Sequence, residues 1–240
     1  MTTLDCIGSG NAFSNGQYWN GFLVDRRILF DCPAQTLTHL QKLDLAIDDL
    51  DLILLSHQHS DHVLGMDLLL LELTMGRASK RGRPLRIAAP PGVNERVAEI
   101  IGGAPRMTPK DDERITWIEM HDGANFEWEG VKVQAVEVDH MPELFLAVGY
   151  RVEIDGKLIA YTGDTKICDG VYTLAEGADL LVLECGGGPP HMNWDDIHKL
   201  REDLPASTEM LVTHYNGVTA PDVSAIDGLS LAEDFANYTV

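Results

Sequence analysis

Ser56-His57-Gln58-His59-Ser60-Asp61-His62 places three imidazoles and a carboxylate within six residues, His57 to His62. The apolar run Leu52-Ile53-Leu54-Leu55 precedes it and a longer one, Val63 to Leu73, follows. The short run, bounded by aspartates, reads as a buried strand and the long one as a helix. The cluster therefore falls on a strand-to-helix turn, where side chains can converge. His57 and His59 alternate by two and project to the same side of an extended segment. Asp61 and His62 lie where the chain enters the helix and can face a second point nearby. Imidazole nitrogen with carboxylate oxygen suits zinc, and also iron or manganese. Four such groups exceed what one catalytic metal with an open position accepts, so the turn suggests two metals. A polar loop that is merely rich in histidine is the bland alternative, and four potential ligands at a strand end argue against it.

The 240 residues suit one large domain or two small ones, and no Pro/Ser/Gly-rich linker divides them. We expect a single domain over 1–240. Apolar residues make up 45%, ample for a core. No apolar stretch approaches the roughly 20 residues that span a bilayer. The start, Met1 to Cys6, has neither a basic nor an apolar leader segment. Cys6, Cys32, Cys168 and Cys185 form no C-x-x-C pair, which predicts reduced thiols in a cytoplasmic protein. Thirty-eight acids against 18 bases give a net charge of −20. Such a surface repels phosphate backbones and disfavours long nucleic acid as a partner. The one basic cluster, Arg77 with Lys80-Arg81-Gly82-Arg83 and Arg86, reads as a solvated loop.

Leu4 to Ile7 reads as a first strand, and Gly8-Ser9-Gly10-Asn11-Ala12 as a tight glycine loop. It lacks the third glycine and the βαβ context of a dinucleotide fingerprint. Phe13, Tyr18 and Trp19 either flank a pocket or pack onto the sheet. A hairpin is predicted at Gly21–Val24 and Ile28–Phe30, with Asp31 at its end. Pro33 can open a helix running to about Lys42, with His39 on its surface. Leu64 to Met75 is apolar nearly all round and should be a buried helix. Further elements are a strand at Leu85–Ala88, a helix at Val93–Ile101, and strands at Ile115–Met120, Phe126–Trp128, Val131–Val138, Leu146–Val152 and Lys157–Tyr161. Asp155-Gly156 is a strong hairpin signal. Leu180–Leu183 and Met210–Val212 complete the strands. His121 and His198 read as exposed residues.

His57-x-His59-x-Asp61-His62 resembles the signature of the metallo-β-lactamase superfamily, in particular its ribonuclease Z-like, phosphodiesterase-like branch. The resemblance implies an α/β fold, a four-layer αββα sandwich with a dinuclear metal site at the sheet edge. It extends over nearly the whole chain. His140 in Val-Asp-His, Asp164 in Tyr-Thr-Gly-Asp-Thr and His214 in Thr-His-Tyr match its remaining ligands, each just after an apolar run. The implied site has His57, His59 and His140 on one metal, Asp61, His62 and His214 on the other, and Asp164 bridging. The β-lactam-hydrolysing branch carries a cysteine in place of Asp164, and the di-iron oxygen-reducing branch usually has a glutamate in place of His59; neither residue is present. Asp31 matches a structural aspartate beside the metal turn. Glu184, and His191 after Gly186-Gly187-Gly188-Pro189-Pro190, resemble a pair in which the histidine protonates the leaving group. Asn193-Trp194 departs there from the usual Ser-Thr, and Cys185 from alanine, so a structural His–Glu contact stays open beside the catalytic one.

The function implied is hydrolysis by a hydroxide activated between two divalent metals, zinc first, with manganese or iron as alternatives. Asp61, Glu184 and His191 are the candidate catalytic residues. The leading substrate class is a small or cyclic phosphodiester or a short RNA. Pre-tRNA is disfavoured because its processing enzymes carry a long basic arm between the third histidine and the bridging aspartate. Here His140 and Asp164 are 24 positions apart, and Met141 to Gly163 holds only the bases Arg151 and Lys157. An ester, thioester or lactone hydrolase on the same site is the alternative, and a non-catalytic metal sensor or scaffold the alternative of another class. A small-molecule partner, no membrane and, by resemblance, a homodimer complete the expectation.

Overall fold

Alternation along Val131–Val138 sets the plan of the fold: Val131, Val133 and Ala135 are buried while Lys132 and Gln134 are exposed. The computed structural model describes residues 1–75, 82–102 and 113–240. Of the basic cluster, Arg77, Lys80 and Arg81 lie outside the described residues.

The first sheet takes β1 (Thr3–Gly8), β2 (Gly21–Val24), β3 (Ile28–Phe30), β4 (Leu52–Leu54), β5 (Leu85–Ala89) and β6 (Ile115–Glu119) in sequence order, with β14 (Asn237–Thr239) beside β1. The second takes β7 (Asn125–Trp128), β8 (Val131–Val138), β9 (Ala147–Ile154), β10 (Lys157–Tyr161), β11 (Leu180–Glu184), β12 (Glu209–Thr213) and β13 (Leu229–Leu231). The central core, including Phe22, Phe30, Leu54, Tyr150, Tyr161 and Val182, fills the space between the sheets. Helices α1 (Thr36–Lys42), α2 (Ser60–Val63), α3 (Met66–Met75) and α4 (Val93–Ile101) follow first-sheet strands. A second apolar layer joins α1, α3 and α4 to the outer face of that sheet. A third joins α5 (Asp169–Ala175) and α6 (Trp194–Asp203) to the second sheet. The order helix, sheet, sheet, helix is the expected αββα sandwich. No helix among the described residues is long and apolar enough to cross a membrane.

Three expectations change. The helix expected from Pro33 begins at Thr36, after a turn in which the Thr36 amide donates to the Pro33 carbonyl at 2.9 Å. The long helix of 64–75 is broken at Gly65, whose amide donates to the Cys32 carbonyl at 2.9 Å. A Cβ there would lie 2.1 Å from the Pro33 oxygen, so close backbone approach demands glycine. His39 is buried, not on the surface; its Nδ1 lies 2.7 Å from the Ile7 carbonyl, and its ring meets Tyr18 edge-on and Phe235 at a tilt. Tyr18 thus packs against a neighbour, while Phe13 stands free.

Strands β3, β4, β5 and β6 run parallel, as do β10, β11, β12 and β13. Parallel strands bring their C-terminal ends to one edge, the usual place for a site in α/β folds. Asp31, the histidine turn, Asp164 and His214 follow such ends, and Glu184 closes β11; His140 follows β8, which is antiparallel to β9 and so runs in the same direction as β10.

Candidate metal centre

His57, His59, His140 and Asp164 each present a ligand atom within 4.8 Å of the others, and so do Asp61, His62 and His214. Asp164 faces both groups. Its Oδ2 lies 3.8 Å from His57 Nε2 and 3.9 Å from His140 Nε2. Its Oδ1 lies 3.3 Å from His62 Nε2 and 3.4 Å from His214 Nδ1. Asp61 Oδ2 stands 3.5 Å from His62 Nε2 and 3.4 Å from His214 Nε2. All seven sequence-derived ligand candidates are thereby brought together.

Local structure explains the aim of each ring. His62 Nδ1 donates to Asp31 Oδ2 at 2.7 Å, which leaves Nε2 as the free lone pair. Ser56 Oγ donates to Asp31 Oδ2 at 2.9 Å and lies 3.0 Å from His57 Nδ1, so that nitrogen is the donor and Nε2 again faces inward. His140 Nδ1 donates to the Pro190 carbonyl at 3.0 Å. Asp31 is itself held in the left-handed region (φ 54°), as is His214 (φ 51°), a conformation that Asp and His tolerate better than most residues. Gly163, before Asp164, has φ 58°, and a Cβ there would sit 2.6 Å from Ser56 Cβ. Glycine at 163 is thus a steric requirement of the place where the two sheets meet.

Beneath the site runs a buried chain of donors that sequence reasoning missed. Thr213 Oγ1 donates to Asn20 Oδ1 at 2.6 Å, and Asn20 Nδ2 donates to the Tyr161 hydroxyl at 2.6 Å. Tyr161 donates to Asp31 Oδ2 at 2.5 Å. The chain couples the strand before His214 to the carboxylate that orients His62. Asn20, Tyr161 and Thr213 carried no local signal beyond their positions near strand ends.

Electrostatics favour a cation here. Burial pushes the His57, His59 and His140 imidazoles down, so they stay neutral, as metal ligands must. Burial would also lower His62, but the carboxylates of Asp164, Asp61 and Asp31 hold it well above the usual imidazole range. Those acids thus call for positive charge. His57 Nε2, His62 Nε2, Asp164 Oδ1 and His214 Nδ1 are buried with no hydrogen-bond partner. Buried polar atoms without partners are costly, and atoms so placed around two points fit divalent ions.

A second constellation adjoins the first. Glu184 is buried and accepts from Thr165 N at 2.8 Å, Gly186 N at 2.5 Å and His191 Nδ1 at 2.8 Å. A Cβ on Gly186 would lie 2.7 Å from the His191 ring, so the glycine admits the imidazole. His191 stands near Asp164, its Nδ1 3.8 Å from Asp164 Oδ2. Burial alone would lower His191, but its hydrogen bond and charge pairing with Glu184 raise it above the ordinary value. Asn193 caps α6, accepting from Asp195 N at 2.9 Å and Asp196 N at 3.2 Å. The departure from Ser-Thr therefore keeps a capping side chain. His121 and His198 are exposed, as expected. A cavity of about 470 Å³ opens above the centre, lined by Phe13, Asp61, His140, Met141, Asp164 and His191 among others.

A model of the family described as "Anti-Pycsar protein Apyc1" matches residues 2–238. Ribonuclease Z of Mycobacterium bovis (strain BCG / Pasteur 1173P2) is 30% identical over 169 residues, which cover 64% of this chain and 58% of that protein. Among solved structures, the metallo-β-lactamase fold protein YhfI from Bacillus subtilis superposes with a TM-score of 0.78 at 20% identity, covering 99% of this chain and 98% of its own. A diphosphatase from the PhnP family superposes with a TM-score of 0.77 at 19% identity, covering 100% and 98%. Both share the fold found here, which is named for YhfI as a metallo-β-lactamase fold, and the ribonuclease Z likeness covers little more than half of that relative.

Proposed function

The chain belongs to the Anti-Pycsar protein Apyc1 family, and we propose that it is a metal-dependent phosphodiesterase acting on a small or cyclic phosphodiester or a short RNA. The observation that carries this reading is Asp164, whose two oxygens separately face the His57/His140 pair and the His62/His214 pair. His57, His59 and His140 would hold one divalent ion, Asp61, His62 and His214 the other, with Asp164 bridging. Zinc suits this nitrogen-rich set, and manganese or iron would also fit. Two such ions would lower the pKa of a shared water and polarise the phosphoryl oxygen.

The remaining work falls to the chain. Asp61, partly exposed to the cavity, accepts a hydrogen bond from the attacking water and orients it. Glu184 holds Nδ1 of His191 and favours the imidazolium, so Nε2 carries a proton for the departing oxygen. Such an acid matters for an alkoxide or ribose hydroxyl leaving group.

Substrate size follows from the cavity, from the net charge of −20 and from the short interval between His140 and Asp164. Ribonuclease Z is the name of the mycobacterial relative, and the matched segment spans 58% of it; small diesters accord better with this surface. The four free cysteines support a reducing, cytoplasmic setting.

Hydrolysis of bis(p-nitrophenyl) phosphate by the zinc- or manganese-loaded protein tests the reading, with Asp164→Ala as control. Turnover lost in the variant supports it. No turnover by wild type with both ions bound would overturn it and turn attention to thioesters and lactones.

A further inference from the structure

Phe13 is 91% exposed, yet the loop that carries it is held at many points. Ser9 donates to Asp234 Oδ1 through both its amide (2.9 Å) and its hydroxyl (2.8 Å). Asn11 N donates to Ser14 Oγ at 2.8 Å, and Phe13 N donates to Asn11 Oδ1 at 2.9 Å. Ser14 Oγ donates to the carbonyl of Tyr215, the neighbour of His214, at 2.9 Å. Gly10 pairs with Tyr215 through a backbone bridge, and a Cβ on it would strike Ser14 and Gln17. The loop is therefore tied to the strand end that carries a candidate ligand, and Phe13 is presented from it at the mouth of the metal cavity.

An exposed phenyl ring forgoes the stabilisation that burial would give it. Single exposed apolar residues are common and by themselves mean nothing. What distinguishes Phe13 is its setting. The cavity lining contains no lysine or arginine among the described residues; its non-polar members include Phe13, Met141 and Pro190. Phosphate charge would be met at the metal centre and by His191, leaving the organic portion of a substrate to apolar contact. A planar heteroaromatic group suits an aromatic rim, because stacking needs only a π-face.

We propose that Phe13 is a specificity-determining residue, a fixed platform on which a planar base of the substrate stacks while its phosphate lies at the metal centre. The proposal rests on the phosphodiesterase reading for the identity of the phosphate site but is tested apart from turnover. The probes are uridine 5′-monophosphate and ribose 5-phosphate, which share a phosphate and sugar and differ in the base. Binding to the zinc-loaded protein is measured by calorimetry for wild type and for Phe13→Ala, Phe13→Tyr and Phe13→Trp. Wild type should bind the nucleotide on the order of tenfold more tightly than the sugar phosphate. Phe13→Ala should erase that difference without changing sugar-phosphate affinity, and the two aromatic variants should keep it.

Equal binding of the two probes by wild type would overturn the platform. So would unchanged nucleotide affinity in Phe13→Ala, or an equal loss for both probes, which would mark a structural role. Base-dependent binding that Phe13→Ala abolishes, in a protein that hydrolyses no phosphodiester, would sink the catalytic reading and leave the platform standing.

Discussion

The first sheet delivers His57, His59, Asp61 and His62 from one turn of six residues, whereas the second delivers His140, Asp164 and His214 from the ends of three separate strands. Backbone geometry over a few residues sets the first group. Strand register sets the second: Tyr161 pairs with Val182 and Glu184 with Thr213, which levels the strand ends before Asp164, Cys185 and His214. The supports differ in the same way. Among the described residues, Asp31 orients His62 and, through Ser56, His57. On the second side the supports are scattered: Pro190 for His140, the Gly163 turn for Asp164 and a left-handed backbone at His214. A compact motif should therefore depend on one support, and a dispersed one on its shared bridge.

Breaking the bridge should have the largest effect. Asp164→Ala removes the group whose two oxygens face both clusters, so phosphodiester hydrolysis should fall by on the order of a thousandfold. Bound metal, counted by elemental analysis, should drop below two ions per chain. Full occupancy with undiminished turnover would mean that the two groups are joined by something other than Asp164.

Next in size is His191, which belongs to neither cluster. His191→Ala should slow cleavage of a diester with an alkyl leaving group by roughly 100- to 10,000-fold, and leave a p-nitrophenyl leaving group nearly unaffected. Equal losses on both would make His191 a structural residue. The pair with Glu184 also sets a pH dependence. In the proposed mechanism the imidazolium is the active form, so activity on the alkyl diester should be present at low pH and lost as pH rises through the His191 pKa. That pKa is raised, chiefly by Glu184 acting against burial. Glu184→Gln should move the alkaline limb to lower pH; a shift to higher pH, or none, would break the relay.

A smaller effect tests the single support of the first cluster. Asp31→Asn keeps a residue that tolerates the left-handed backbone at φ 54° but weakens its hold on His62 and Ser56. Metal affinity should fall roughly 10- to 100-fold. If Asp31→Asn binds metal as wild type does, the histidine turn is shaped by its own backbone, and the contrast between the two regions loses its basis.

The same division explains what could be read from the sequence. Strands of strong apolar character, such as Val131–Val138 and Lys157–Tyr161, have the bounds their patterns predict. Asp155-Gly156 takes positive φ at both residues, the turn its chemistry demands. The edge strands β13 and β14, three residues each, are too short for periodicity to register. The break at Gly65 arises from a contact with Pro33, 32 positions away, and an apolar run carries no trace of it. In the site, the histidine turn is visible alone, while His140, Asp164 and His214 become visible only as a set. Asn20, Tyr161 and Thr213 act through tertiary hydrogen bonds and announce nothing locally. Phe13 lay between two readings because only burial separates a rim aromatic from a packed one.

The least effect should come from Asn193, which sharpens the boundary between holding the fold and holding the site. Its side chain caps α6 through two amides, and Asp196 returns a bond to the Asn193 amide at 3.0 Å. Asn193→Ala should cost about 1 kcal/mol of stability, read as a lower urea midpoint with an unchanged slope. Asn193→Ser should be nearly neutral, since serine caps as well. His191 lies only two positions away but is held by Glu184 and by the Gly188 carbonyl, not by the cap. Cleavage of an alkyl diester should therefore be unchanged in both variants. A selective loss on that substrate in Asn193→Ala alone would show that the cap also steers the proton donor, making this dispersed side of the molecule more tightly coupled than its separate strand ends suggest.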